Sequence, residues 1–176
     1  MQITSIIRRA AQTNPNGIAT IFEDRQQSWR TMLDRVARLA GALQALGMKP
    51  GDRVAMLSLN SDRYIEYYYA VVWGGGAMMP MNIRWAAAEC AYALNDAGAE
   101  ILIVDDAFKG VAAQVEPLAS GLKTLIYAGD AETPEGMHNY EDILAAAEPA
   151  PDAGRAGDDL AGVFYTGGTT GFPKGV

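Results

Sequence analysis

The sequence predicts an α/β protein with a mostly parallel sheet and helices on both faces. Three observations carry this expectation. Short apolar runs alternate with amphipathic stretches of about ten residues, the rhythm of βαβ crossovers. The run from Arg53 to Leu59 is nearly continuous in apolar residues, as a strand covered on both faces requires. Near the end, the apolar segment Leu160 to Tyr165 reads as a buried strand leading directly into a glycine- and threonine-rich loop, and open α/β sheets bind ligands beyond the carboxyl ends of their strands.

Taken in order, residues 4–12 read as a helix stopped by Asn14-Pro15-Asn16-Gly17. Ala19 to Phe22 and Gln27 to Trp29 read as two short strands around a Glu23-Asp24-Arg25 turn. The clearest helix is 30–46. Met32, Val36, Leu39, Leu43 and Leu46 form its apolar stripe, while Arg30, Asp34, Arg35 and Arg38 take the other side. Gly47 is placed for a C′ cap, and Pro50 prevents continuation. After strand 53–59, Asn60-Ser61-Asp62 caps a helix through Trp73, and Gly74-Gly75-Gly76 breaks it. Ala77 to Met81 is then a short strand, 86–97 a helix ending at Gly98, and 101–104 a strand ending at Asp105-Asp106. A helix near 107–116 precedes Pro117, and Thr124 to Tyr127 is a further strand. Residues 130–158 are rich in Pro, Gly, Ala and acids, with one short helix from Tyr140 to Ala147. Glu148 to Asp158 reads as a mobile connection.

Composition narrows the function. The 176 residues are 49% hydrophobic and 20% charged, ordinary for a globular protein. A net charge of −7 argues against a nucleic-acid footprint, since no basic stripe is available for phosphates. The single cysteine, Cys90, excludes an internal disulfide and falls in the helical core pattern Ala87, Cys90, Ala91, Leu94. The amino-terminal residues lack the apolar core of a secretory signal. The longest apolar stretch, Ala70 to Met81, is too short to span a bilayer and carries three glycines and Pro80. A cytoplasmic protein without a transmembrane segment is the expectation.

Several candidate groups read as packing. His138, in the expected loop Gly136 to Tyr140, is the only histidine; no G-x-S-x-G elbow accompanies it and Cys90 lies in a core pattern, so a nucleophilic triad has no second member. With no second His and no Cys pair, metal-ligand clusters are absent from the sequence. Asp105-Asp106 sits at a strand end, where α/β folds place functional acids, but a helix N-cap explains it more simply. Tyr64 and Tyr68 share a helix face with Ile65 and Val72, and Met78, Met79 and Met81 read as strand core. Arg84 and Trp85 read as holding a surface loop.

The segment Tyr165-Thr166-Gly167-Gly168-Thr169-Thr170-Gly171-Phe172-Pro173-Lys174-Gly175-Val176 says most about function. Glycine lets consecutive backbone N–H groups turn inward around an anion, because no Cβ blocks the φ > 0 conformations such a concavity needs. Threonine hydroxyls add donors, and Lys174 adds a charge on a flexible stem that reaches phosphate oxygens. The loop is not a Walker A loop: counting from Gly168, the sixth position is Pro173, and Gly175 follows Lys174 where a magnesium-binding hydroxyl belongs. The G-x-G-x-x-G fingerprint is absent both here and around Gly74-Gly75-Gly76.

This segment resembles the signature phosphate loop of the adenylate-forming enzymes, which include acyl-CoA synthetases, luciferases and the adenylation domains of peptide synthetases. Their usual pattern, Y-T-S-G-T-T-G-x-P-K-G, is met except at Gly167, where Ser is commonest; the change removes one hydroxyl and leaves the backbone donors. Tyr68 to Trp85 is similar to the corresponding stretch of fatty acyl-CoA ligases, as are Ser28-Trp29 and the helix end Leu46 to Asp52.

The resemblance implies ATP-dependent activation of a carboxylic acid, a fatty acid by preference, to an acyl-adenylate with release of pyrophosphate, followed by thioester formation with coenzyme A. It implies that Thr166, Gly167, Gly168, Thr169, Thr170, Gly171 and Lys174 bind ATP, that Lys174 stabilises the leaving group, and that Thr166 contributes to the shell of an ATP-bound Mg2+. Residues 1–176 are expected to be the first part of the large N-terminal, AMP-binding domain, ending at the loop 165–175. The family's C-terminal domain is absent from them, as are the adenine and ribose sites, so residues 1–176 alone should not adenylate. Two alternatives remain at this point: adenylation of an amino or aryl acid, and a short non-catalytic phosphate-binding module.

Overall fold

In the computed structural model, which describes residues 2–166 and 173–176, the first helix, α1 (Ser5–Thr13), leads into an antiparallel hairpin of β1 (Ile18–Phe22) and β2 (Arg25–Ser28). Ser28 ends the hairpin and starts α2 (Trp29–Ala45), its hydroxyl accepting from the Thr31 amide, as an N-cap should. The helix closes at Gly47, whose φ of 107° lets the Met48 amide donate back to Leu43 at 2.9 Å.

A regular alternation follows: β3 (Arg53–Leu57), α3 (Asp62–Trp73), β4 (Ala77–Pro80), α4 (Ala87–Ala97), β5 (Ile101–Val104), α5 (Lys109–Val115), β6 (Thr124–Tyr127), β7 (His138–Asn139) and α6 (Tyr140–Ala146). Strands β4-β3-β5-β6-β7 form one sheet in that spatial order, and every pairing is parallel. The expected fold class is therefore observed.

Two apolar layers sandwich the sheet. Side chains alternate across a strand, so Val54, Met56, Ile101, Ile103 and Ile126 face α2, α3 and α6. Ala55, Leu57, Leu102, Val104 and Leu125 face α4 and α5. Fully burying a side chain of this size contributes about 1.5–3 kcal/mol. Cys90 is completely buried on the second face, and burial pushes its thiol up to about 11, consistent with a packing role. Of the α3 tyrosines, Tyr67 is the one wholly enclosed. Its hydroxyl donates to the Val54 carbonyl and accepts from the Met79 amide, both at 2.7 Å, tying β3 to β4. Ile65, expected on the buried face, is 40% exposed.

Two sequence expectations need correction. His138 and Asn139 do not lie in a loop; they form β7, paired with Ile126 and Tyr127, and Asn139 caps α6 by accepting from the Glu141 and Asp142 amides. The stretch after α6 is fastened to the fold. Ala150 donates to Ala37 at 2.9 Å and accepts from the Trp73 indole at 2.8 Å, and Ala153 donates to the Trp73 carbonyl. Asp152 accepts from the Thr4 hydroxyl at 2.8 Å, and Gln2 donates to Gly154. Its polar composition hid these distant partners.

Candidate functional site

The polypeptide reaches the candidate site along the open edge of the sheet. Gly162 makes a parallel bridge to Met78, with the Met78 amide donating to Ala161 at 3.0 Å and the Val163 amide donating to Met78 at 2.8 Å. A Cβ at Gly162 would lie 2.7 Å from Met78 Cγ and 2.8 Å from its carbonyl oxygen, so the close approach to β4 requires glycine. The expected buried strand Leu160 to Tyr165 is not found as such: Leu160 is 45% and Phe164 49% exposed. One bridge joins this segment to the edge strand before it turns into a separate hairpin.

That hairpin consists of β8 (Tyr165–Thr166) and β9 (Lys174–Gly175), antiparallel, with Phe164 and Val176 exchanging two 2.9 Å backbone bonds at its base. Because 161–163 runs parallel to β4, the hairpin emerges toward the carboxyl end of that strand. Thr166 stands opposite Lys174, with its hydroxyl 3.5 Å from the Lys174 carbonyl, and both residues are exposed. The other expected loop residues, Gly167, Gly168, Thr169, Thr170 and Gly171, lie outside the described residues.

Tyr165 fixes the hairpin to the domain. Its hydroxyl donates to Asp96 of α4 at 2.5 Å, and its ring meets Trp85 edge-on with centroids 6.2 Å apart. A Cβ on Gly175, across the ladder, would be 3.1 Å from Tyr165 Cζ, leaving space there for nothing bulkier than glycine to sit comfortably. Burial and the Asp96 bond both raise the Tyr165 phenol above its ordinary value, keeping it a donor. Sequence reasoning assigned Trp85 to a surface loop and missed Asp96. The available signal was an acid in the last turn of a helix, where the dipole disfavours it.

A second concavity lies where the chain's strand order reverses, between β3 and β5, lined by Asn60, Ser61, Asp105, Asp106, Gly129 and Asp130 among others. Most of its charged groups are already bound within the fold. Arg25 binds Asp62 and Asp130; Arg63 binds Asp130, Glu141 and the Ala128 and Gly129 carbonyls. Asp105 accepts from the Ala107, Phe108 and Leu59 amides; it holds the turn ahead of α5, whose N-cap is Phe108 and not the expected Asp105. Asp106 accepts from the Tyr127 hydroxyl, Lys109 and the Asp130 amide. His138 is exposed on β7. Among the described residues no group of three or more His, Cys, Asp or Glu could hold a metal ion, and Thr166 offers a single neutral hydroxyl. The described residues therefore do not by themselves make a magnesium site.

A doubly covered parallel sheet with a Thr–Lys hairpin at its edge defines an α/β protein, and the hairpin lies beyond a strand's carboxyl end, where such folds place their ligand sites. The family model described as AMP-binding enzyme matches residues 7–176, and the chain belongs to that family. It is 38% identical over 157 residues to a long-chain-fatty-acid–CoA ligase of Thermus thermophilus, covering 88% of this chain and 28% of that protein. It is 34% identical over 168 residues to a feruloyl-CoA synthase of Amycolatopsis sp, covering 96% and 31% respectively. The solved structure of the anthranilate CoA ligase AuaEII in complex with anthranoyl-AMP superposes with a TM-score of 0.93 at 25% identity, over 100% of this chain and 34% of that one. The chain thus spans less than a third of the curated relatives just named.

Proposed function

We propose that this chain supplies the phosphate-binding loop of an ATP-dependent acid–thiol ligase. A carboxylate attacks the α-phosphorus of ATP, the Pα–O bond to the β-phosphate breaks, and an acyl-adenylate and pyrophosphate result. Coenzyme A sulfur then displaces AMP to give the thioester. The observation that carries this reading is the pairing of Thr166 with Lys174 across the hairpin, which brackets the glycine- and threonine-rich sequence between a hydroxyl and an ammonium. As the Pα–O bond breaks, charge builds on the departing diphosphate, and donors already oriented toward it lower the barrier. Lys174 supplies charge at the β/γ end; Thr166, Thr169 and Thr170 supply hydroxyl donors; Gly167, Gly168 and Gly171 permit close backbone approach. Magnesium arrives with the nucleotide.

For the acid, a long-chain fatty acid is the first reading, supported by the 38% identity to a fatty-acid ligase. An aromatic acid is the second, supported by the similarity to feruloyl and anthranilate ligases. The test is acid-dependent ATP–pyrophosphate exchange by the full-length protein against a panel of both classes. Replacing Lys174, Thr169 and Thr170 together by Ala should lower kcat at least about 100-fold, as loss of one preorganised donor alone costs about 10²–10³. Unchanged exchange by the triple variant would refute the reading.

A further inference from the structure

We propose that Asp96 is a positioning residue for the phosphate loop, acting through Tyr165; this rests on the reading of the Thr166–Lys174 hairpin given above. Asp96 is the penultimate residue of α4, Ala87–Ala97. A carboxylate there faces the negative end of the helix dipole, which disfavours it, and the cation at that end, Arg53 of β3, donates to the Ala97 and Gly98 carbonyls. What it gains is the Tyr165 hydroxyl at 2.5 Å. Tyr165 is the first residue of β8, directly before Thr166, and it stands opposite Gly175, directly after Lys174. One side chain thus touches both arms of the hairpin and anchors them to a helix packed on the sheet.

The surroundings make this contact decisive for the hairpin's location. Besides the single bridge at Gly162, the hairpin's own ladder is internal: Phe164 with Val176, Tyr165 with Gly175, Thr166 with Lys174. That ladder sets the shape of the hairpin, and its attachment to the domain runs through the Tyr165 side chain, packed on the second apolar layer and bonded to Asp96 of α4. Trp85 meets one edge of the Tyr165 ring, and Asp96 holds the hydroxyl at the far end, so the ring is fixed in two directions. Losing the Asp96 bond frees the hairpin to swing with its internal pairing intact, carrying Thr166 and Lys174 away from the diphosphate. The carboxylic acid, which does not depend on these two residues, should bind as before.

The experiment uses the full-length protein with Asp96→Ala, Asp96→Asn and Tyr165→Phe, measured for ATP–pyrophosphate exchange and for tryptic cleavage after Lys174. A hydrogen bond to a charged group corresponds to a change of about tenfold or somewhat more. Asp96→Ala and Tyr165→Phe should each lower kcat/KM for ATP about tenfold, leave KM for the acid unchanged, and speed cleavage after Lys174. Their combination should be no worse than either alone. Asp96→Asn keeps an acceptor oxygen and should stay within about twofold of the parent. If Lys174→Ala abolishes exchange while Asp96→Ala changes neither the ATP parameters nor the cleavage rate, the positioning role is overturned and the phosphate-loop reading survives. If Asp96→Ala speeds cleavage while Lys174→Ala leaves exchange intact, the phosphate-loop reading fails and takes the role of Asp96 with it.

Discussion

Arg35 grips the carboxylate of Glu66 at both oxygens, Nε to Oε1 at 2.6 Å and Nη2 to Oε2 at 3.0 Å, with the acid wholly shielded from solvent. Gln27 and the Tyr140 hydroxyl complete its shell at 2.7 and 2.8 Å. Burial works against the Arg35 charge, but the bonds to Glu66 and Glu141 outweigh it and hold the guanidinium above its ordinary value. The pair joins α2 to α3, and Glu141 extends the connection to α6.

Removing one partner strands the other. Arg35→Met should destabilise the protein by about 3–5 kcal/mol, the usual cost of breaking a buried pair. Changing both, Arg35→Met with Glu66→Met, should recover at least half of that loss, because no bare charge is left inside. Urea unfolding midpoints of the parent, the single and the double variants decide this; a double variant as unstable as the single would contradict it.

Gly41 reverses the ordinary rule for helices. In a helix interior Ala is favoured over Gly by about 1 kcal/mol. Here a Cβ would fall 2.2 Å from the Glu148 carbonyl oxygen, a backbone atom of the fastened stretch after α6. Gly41→Ala should therefore lower stability, by about 1–3 kcal/mol as an overpacking change, and should increase proteolytic cutting within 148–154. A higher thermal midpoint for Gly41→Ala would show that the stretch yields without cost.

Stability should fall in acid, and the direction follows from the carboxylates. The Tyr127 hydroxyl, with smaller help from the Asp130 amide and Lys109, holds Asp106 at about 2. Arg25 lowers Asp130, and at Asp62 and Glu141 burial is outweighed by Arg25 and Arg35 respectively. Each group binds its proton more weakly folded than unfolded, so its contribution is complete above about pH 5 and is lost as pH falls through the folded value. The thermal midpoint should be level from pH 7 to about 5 and drop between about 4 and 2. Asp106→Asn should flatten the lowest part of that drop, and an unchanged slope would count against it.

The sheet was legible because its strands are apolar on both faces and its helices carry their own stop signals. Gly47 and Gly98 end α2 and α4 in left-handed conformations, as their spacing implied. What escaped depended on distant partners. A two-residue strand such as β7 has no periodicity to detect, and its place is set by Ile126 and Tyr127. The Arg35–Glu66 pair looks like two solvated charges until α2 is laid against α3. At the candidate site, Thr166 and Lys174 could be named from local pattern alone, whereas Asp96 lies 69 positions before Tyr165 and is joined to it only by the fold.

The bond between Thr4 and Asp152 spans 148 positions of sequence and brings the beginning of the chain beside the approach to the hairpin. Closing so wide a ring costs entropy that no local helix repays, and contacts of this kind slow a chain's search for its native topology. A fold closed by the seam at Thr4 and Asp152 should therefore form more slowly than one held by neighbouring contacts alone.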